Sequence, residues 1–259
     1  MKNHIPDSLQ TKRANFRALH KQGCFVLPNP WDVGGIRRLE KLGFKALAST
    51  SAGAAWSLGR NDGELSLDEV LAHLRPLCAA TDLPINADFE AGFADDPERV
   101  AANVVLALDT GVAGLSIEDR TGRALYEKSL AVDRIKAARE AIVRSGHDVV
   151  LVGRSEGYLV GQTELGATID RLVAYADAGA DCLYAPGITD LSAIRTLVSA
   201  VAPKPVNVLL IGPHMRVADL AGAGVRRVSA GGTLAAVAWA AFDRAVRLLI
   251  DEGTLPKRE

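Results

Sequence analysis

The stretch "INADFEAGF" (85–93) puts two carboxylates two residues apart, Asp88 and Glu90, with Gly92 just beyond. It is preceded by small apolar residues that suit a buried strand. Similar acids close other apolar runs: Glu118 and Asp119 in "GLSIED", and Glu156 beside Arg154 in "GRSEG". Asp62 sits in the polar loop "WSLGRNDGE", and Asn29, Trp31 and Asp32 follow "CFVL". Ser49, Thr50 and Ser51 follow "FKALA", and Asn207 lies in "KPVNVLL". Several acids at one place would repel, and some would take up protons unless a cation joined them. Hard oxygen ligands in this number suit Mg²⁺, with Mn²⁺ as a second choice. The absence of His and Cys among them argues against zinc. Arg154 is a natural fork for a ligand carboxylate or phosphonate.

The elements that must position these residues alternate in type. Short apolar runs at 24–29, 44–50, 83–90, 112–119, 148–154, 181–186, 204–210 and 225–231 read as strands. Periodic segments at 33–43, 66–81, 95–111, 131–145, 163–178, 190–201, 216–222 and 233–251 read as helices, and a further helix is expected near 8–21. Ser66 with Glu69 three residues on predicts a capping box, and Pro97 and Gly111 bracket another helix. Eight strand–helix units predict a (β/α)₈ TIM barrel with an extra N-terminal helix and a long C-terminal helix. No linker interrupts residues 1–259, so one domain is expected. A doubly wound sheet is the alternative, but no G-x-G-x-x-G follows the first strand. In such a barrel every acid named above falls at the C-terminal strand ends, where chemistry is placed.

Composition narrows the partners. The chain has 259 residues, 48 % of them hydrophobic, which supplies a sizeable core. Its 30 basic and 31 acidic residues leave a net charge of −1, which gives no reason to expect a nucleic acid or an anionic membrane. No apolar run reaches the roughly 20 residues a bilayer needs. The N-terminus lacks a signal-peptide core, so the cytoplasm is the default expectation. Cys24, Cys78 and Cys182 are scattered and suggest neither a disulfide framework nor a zinc site. Bland readings stand beside the chemical ones. Arg154 could be a structural ion-pair partner, Asp62 a turn residue, Asn207 a barrel-layer amide, and Trp31 and Trp56 packing residues. His214 reads as a surface residue.

The motifs "PNPWD", "STSAG", "DFEAG", "SIEDRTG", "GRSEGY" and "KPVNVL" occur in the order and spacing of the phosphoenolpyruvate mutase / isocitrate lyase superfamily, which residues 22–235 resemble. The resemblance implies a barrel that binds Mg²⁺ and a small 2-oxo acid and cleaves a C–C or P–C bond beside the carbonyl through an enolate. It implies Asp88 as a direct metal ligand, with Glu90 and Glu118 acting through waters. Asp62, Arg154 and Ser51 are its catalytic candidates. Trp31, Asp32, Ser49, Ala52, Gly53 and Asn207 are its substrate-binding candidates, the backbone N–H groups of Ser51, Ala52 and Gly53 holding a carboxylate. Two departures matter. The segment after strand four, "RTGRALYEKSLAV", contains no Cys or His, which argues against isocitrate or methylisocitrate cleavage, and the strand-six end carries Pro186. Oxaloacetate-like and phosphonopyruvate-like substrates lead. A weakened 2-oxo acid-binding barrel and a class II aldolase-like enzyme are the alternatives. The apolar final helix predicts a homodimer or homotetramer, with helix exchange implied by the family.

Overall fold

The computed structural model describes residues 7–257. Eight parallel strands follow one another around a barrel: Phe25–Leu27, Leu47–Ala48, Ile85–Asp88, Gly114–Glu118, Val150–Arg154, Cys182–Tyr184, Val206–Leu209 and Arg227–Ser229. The first strand pairs with the eighth, and each later strand with its neighbour in sequence. The seam between strands one and two is bridged by the Ala48 N–H, which donates to the Pro28 carbonyl at 3.0 Å. The fold is the expected TIM barrel.

Ten α-helices accompany the strands among the described residues. They are α1 (Asp7–Leu19), α2 (Val33–Lys41), α3 (Ser51–Ser57), α4 (Leu67–Ala79), α5 (Pro97–Leu108), α6 (Lys128–Ser145), α7 (Leu165–Asp177), α8 (Leu191–Ala200), α9 (Val217–Gly222) and α10 (Thr233–Glu252). Their starts follow local chemistry. Ser66 and Glu69 form the capping box of α4, while Asp96 and Asp190 cap α5 and α8. Two features escaped the sequence reading. The Ala-rich segment 51–57 is helical rather than a loop, and residues 120–125 form a small antiparallel hairpin over the mouth. Both are too short to show a period.

Helix α1 plugs the N-terminal end of the barrel. Phe16 is fully buried among Ala46, Ala48, Ala113 and Val150, whose short side chains leave room for its ring. Gly114 is required there, because a Cβ at that position would lie 2.6 Å from Phe16 Cε1. Arg13, also buried, donates to the Val112 carbonyl (Nε, 3.0 Å) and the Leu108 carbonyl (Nη2, 2.9 Å), and its Nη1 meets His147 Nδ1. Arg17 bridges Asp148 (2.6 Å) and Asp181 (3.1 Å), and Arg139 pairs with Asp181 as well.

Candidate active site

The third strand delivers Asp88 to the opposite, C-terminal end. Its backbone N–H donates to Ser49 Oγ (2.8 Å), which fixes the strand-two end against it. Asp88 Oδ2 accepts from the backbone N–H (3.0 Å) and the hydroxyl (3.1 Å) of Ser51, at the start of α3. Asp88 Oδ1 accepts from Arg154 Nη1 at 3.0 Å. The contacts that orient this carboxylate therefore come from the end of strand two and from strand five.

Arg154 is the hub. Strands four and five pair in a register that sets Glu118 directly opposite it. Its Nε lies 3.3 Å from Glu118 Oε2 and 2.5 Å from Glu156 Oε1, so one guanidinium serves three carboxylates. Burial alone would lower the Arg154 pKa, but Glu118, Glu156 and Asp88 outweigh it and hold the charge in place. The guanidinium also lies over the Tyr184 ring, 5.2 Å from its centroid.

One cation does not satisfy this mouth. Burial, with Glu156, Asp88 and Glu90 adding, pushes Glu118 up to about 8 although Arg154 opposes it. Burial, reinforced by Asp88 and Asp62, pushes Glu90 up to about 7. Glu90 Oε1 is buried with no hydrogen-bond partner. The spacing of two between Asp88 and Glu90 is not the alternation of a continuing strand. The strand ends at Asp88, and Glu90 reaches the mouth from the following turn with φ +46°, a left-handed conformation costly for a side chain bearing a Cβ. Gly92, at φ +75°, carries that turn away, and a Cβ there would press on Val100.

Above these groups opens a cleft of about 630 Å³, lined by Ser51, Asp62, Glu90, Glu118, Arg154 and Glu156, with Arg120 and Tyr126 from the hairpin side. A smaller cavity of about 190 Å³ continues into the barrel and shares Ser51, Asp62 and Arg154, with Ser49, Ala52 and Asp88 also on its wall. The structure thus brings Ser49, Ser51, Ala52, Asp62, Asp88, Glu90, Glu118 and Arg154 together. Other sequence candidates are placed differently. Asp32 is exposed and caps α2 by accepting from the Gly35 N–H (2.5 Å). Trp31 is half-buried, its carbonyl lies 2.7 Å from His73 Nε2, and it lines neither cavity. Gly53 gives its N–H to Thr50 Oγ1 (3.3 Å), and the Ser51 N–H is taken by Asp88, so of the three N–H groups only that of Ala52 has no acceptor among the described residues. Asn207 is a buried barrel-layer amide, bonded to Ser229 (3.0 Å) and Arg227 (2.9 Å).

Asp119, grouped with the mouth acids on sequence, is instead a buried brace. It accepts from the Glu156 N–H (2.8 Å), Ser155 Oγ (3.0 Å) and Tyr175 Oη (2.6 Å), and pairs with Arg171 (3.4 Å). Sequence reasoning missed Tyr184 and the Tyr126–Asp95 hydrogen bond on the cleft rim, because a tyrosine in an apolar run reads as core. Only the inward register of strand six, unknown before the barrel is closed, marks Tyr184.

The donor set fits a magnesium-type ion. It is all oxygen, it is short of cations, and it includes the orphaned Glu90 Oε1. Among the described residues no three His, Cys, Asp or Glu side chains converge closely enough to hold a metal directly. The arrangement therefore suits an ion that keeps most of its waters, as Mg²⁺ does.

The fold and the site define a TIM-barrel enzyme with an acidic mouth. Residues 16–250 match the family model described as phosphoenolpyruvate phosphomutase. Escherichia coli 2-methylisocitrate lyase is 35 % identical over 206 residues, covering 75 % of this chain and 68 % of the lyase. A crystal structure of a candidate lyase/mutase from Burkholderia cenocepacia is 46 % identical with a TM-score of 0.94, covering 96 % of this chain and 92 % of that one. Oxaloacetate acetylhydrolase in complex with oxalate is 26 % identical with a TM-score of 0.88, covering 98 % and 91 %. The chain belongs to the phosphoenolpyruvate mutase / isocitrate lyase superfamily of enzymes.

Proposed function

We propose that the protein is a Mg²⁺-dependent lyase or hydrolase of a small 2-oxo acid, cleaving a C–C or P–C bond next to the carbonyl. Oxaloacetate-like and phosphonopyruvate-like substrates lead. The observation that carries this reading is the excess of carboxylates around Arg154, with Glu90 Oε1 left unpartnered. The likeness to oxaloacetate acetylhydrolase supports it over the whole barrel. The likeness to 2-methylisocitrate lyase extends over three quarters of the chain, yet residues 120–132 offer neither Cys nor His as a proton carrier.

Cleavage beside a 2-oxo group leaves negative charge on the C2 oxygen, so groups that stabilise that oxygen more than the ketone accelerate the step. When bound, Mg²⁺ would supply Lewis-acid stabilisation at that oxygen. Asp88 would hold it directly, oriented by Ser51 and Ser49, with Glu90 and Glu118 acting through water. Arg154 keeps the acids from repelling one another and holds Asp88 and Glu118 at fixed positions. Ser51 and Asp62 border both cavities, which supports them as the residues that would move a proton. The hairpin at 120–125 forms one wall of the cleft through Arg120, Thr121 and Gly122.

The test is turnover by the full chain with Mg²⁺ and either oxaloacetate or phosphonopyruvate, following oxalate, acetate, pyruvate and phosphate against an enzyme-free control. Product release that chelation abolishes is expected. Calorimetric binding of both compounds with no product from either would instead mark a 2-oxo acid-binding barrel. We further propose that α10 packs against a second copy. It carries exposed Val237, Trp239, Phe242 and Ile250, and Trp56 lies beside it with Trp239 across a shallow apolar recess. Phe242→Glu is expected to lower the mass seen by light scattering, and a wild-type monomer would refute the packing. No helix among the described residues is long and apolar enough to cross a membrane.

A further inference from the structure

Among the described residues only two that bear a Cβ have a left-handed backbone, Glu90 (φ +46°) and Phe93 (φ +58°), and both lie in the turn that follows Asp88. Such conformations persist only where the surroundings over-determine them. Here the turn is held by its carbonyls. That of Glu90 accepts from the Glu118 N–H (3.0 Å), and that of Gly92 from Asn103 Nδ2 on α5 (2.9 Å). Those of Ala91 and Ala94 both accept from Arg134 Nη2, the latter at 2.9 Å. Phe93 packs edge-on against the buried Phe89, their ring centroids 5.1 Å apart.

Arg134 comes from α6, which packs beside α5, and its side chain is completely buried. Its Nη1 donates to the Glu118 carbonyl (3.2 Å), and its guanidinium lies over the Tyr126 ring, 4.1 Å from the centroid. Tyr126 in turn donates its hydroxyl to Asp95, at the end of the same turn. A buried arginine normally takes a carboxylate partner. This one has none among the described residues and spends its donors on the main chain instead. It thereby ties the backbones around Glu90 and Glu118 together and leaves both carboxylates to the mouth. Arg134 lines neither cavity, so it acts on a bound ion only through those two acids.

We propose that Arg134 is a positioning residue for the divalent ion: by gripping the carbonyls of Ala91, Ala94 and Glu118 it fixes the strained turn of Glu90 against the end of strand four, at the separation the ion requires. Asn103 assists by holding the Gly92 carbonyl. The inference rests on the proposed function only for the presence of a divalent cation, and it is independent of which bond is broken. The fork of the guanidinium matters more than its charge, because one planar group meets three carbonyls from two strand ends.

Titration of the full chain with Mn²⁺, the free ion counted by its electron paramagnetic resonance signal, tests this without turnover. Arg134→Met and Arg134→Lys are both expected to raise the Mn²⁺ dissociation constant by about tenfold or more at temperatures where they remain folded, the scale of losing a group that orients metal ligands. Lysine keeps the charge but brings one nitrogen to three carbonyls, so it should not restore affinity. A lowered melting temperature with wild-type Mn²⁺ affinity in Arg134→Met would show a merely structural role and overturn the proposal, as would full recovery of affinity in Arg134→Lys. Should both variants fail to fold, Asn103→Ala carries the test. Weakened Mn²⁺ binding in a protein that melts near the wild type supports the inference, and unchanged binding refutes it. A wild type that binds no Mn²⁺ at millimolar concentration would sink this inference and the proposed function together. Binding that depends on Arg134 in a protein that turns over neither oxaloacetate nor phosphonopyruvate would retire the proposed reaction alone.

Discussion

The two ends of the barrel treat charge in opposite ways. At the N-terminal end, cations and acceptors match. Arg13 meets two carbonyls and His147, Arg17 meets Asp148 and Asp181, and Arg139 closes on Asp181. At the C-terminal end, Asp88, Glu118 and Glu156 share one guanidinium, and Glu90 is held in a strained turn with a buried oxygen unpartnered. The same backbone supports both, so the contrast is one of side-chain choice. A matched face lowers the free energy of the fold, whereas an unmatched face stores a demand for a ligand. The acids at the mouth are therefore expected to matter for chemistry and little for stability, and the cations at the plug the reverse.

The largest expected effect is at Asp88. Asp88→Asn keeps the shape of the side chain and removes the charge oriented by Ser51. Turnover should fall by about 10³-fold, the scale of losing a principal electrostatic stabiliser. Stability in urea should change by less than about 1 kcal/mol, because the substitution also relieves repulsion with Glu90 and Glu118. A variant that unfolds easily yet keeps its activity would break the contrast.

Arg13 is the mirror case. Arg13→Met deprives the Leu108 and Val112 carbonyls of buried donors, each worth about 1–3 kcal/mol when left unmet. Urea denaturation should show a loss of roughly 2–5 kcal/mol, with kcat unchanged at temperatures where the variant remains folded. A fall in kcat with stability intact would move function to the plug and end the division of labour.

Much of this division was legible in the sequence, and the gaps have physical causes. The eight strand–helix units and the capping box at Ser66 follow from local rules and stand in the structure as read. So does the gathering of Asp88, Glu90, Glu118 and Arg154, since each closes a barrel strand or follows one directly. What local reading lacked was register. Asp119 follows Glu118 in sequence, but alternation along a strand turns it outward into the Tyr175 and Arg171 brace. Arg227, in "VRRVSAG", looks like one of a pair of exposed basic residues. Only the closed barrel shows that Arg226 faces out toward the Gly23 carbonyl while Arg227 faces in. The Arg154–Glu118 pairing depended likewise on which strands are neighbours.

The smallest effect separates two pH-sensitive groups beside the plug. His20, at the end of α1, packs edge-on against Phe16 and Phe25 and gives Nδ1 to the Phe16 carbonyl (2.8 Å), while its Nε2 is buried without a partner. Burial, aided by the positive charges of Arg227 and Arg17 and opposed by the Phe16 carbonyl and Asp181, lowers its pKa from 6.5 to about 3. The unfolded chain then binds a proton on His20 below about pH 6.5 that the folded chain refuses until about pH 3. Stability from this group is therefore complete above pH 6.5 and is lost progressively as the pH falls toward 3. Asp181 acts lower down. Burial would raise it, but Arg139, the Leu151 N–H and Arg17 together hold it below its ordinary 3.8, so its contribution is lost only as the pH falls below that value. His20→Phe should thus flatten the dependence of the urea midpoint on pH between about 4 and 6.5, leaving the steep fall at lower pH in place. An unchanged slope in the upper window would mean that His20 is protonated in the folded state, and that the plug carries a charge its neighbours do not match.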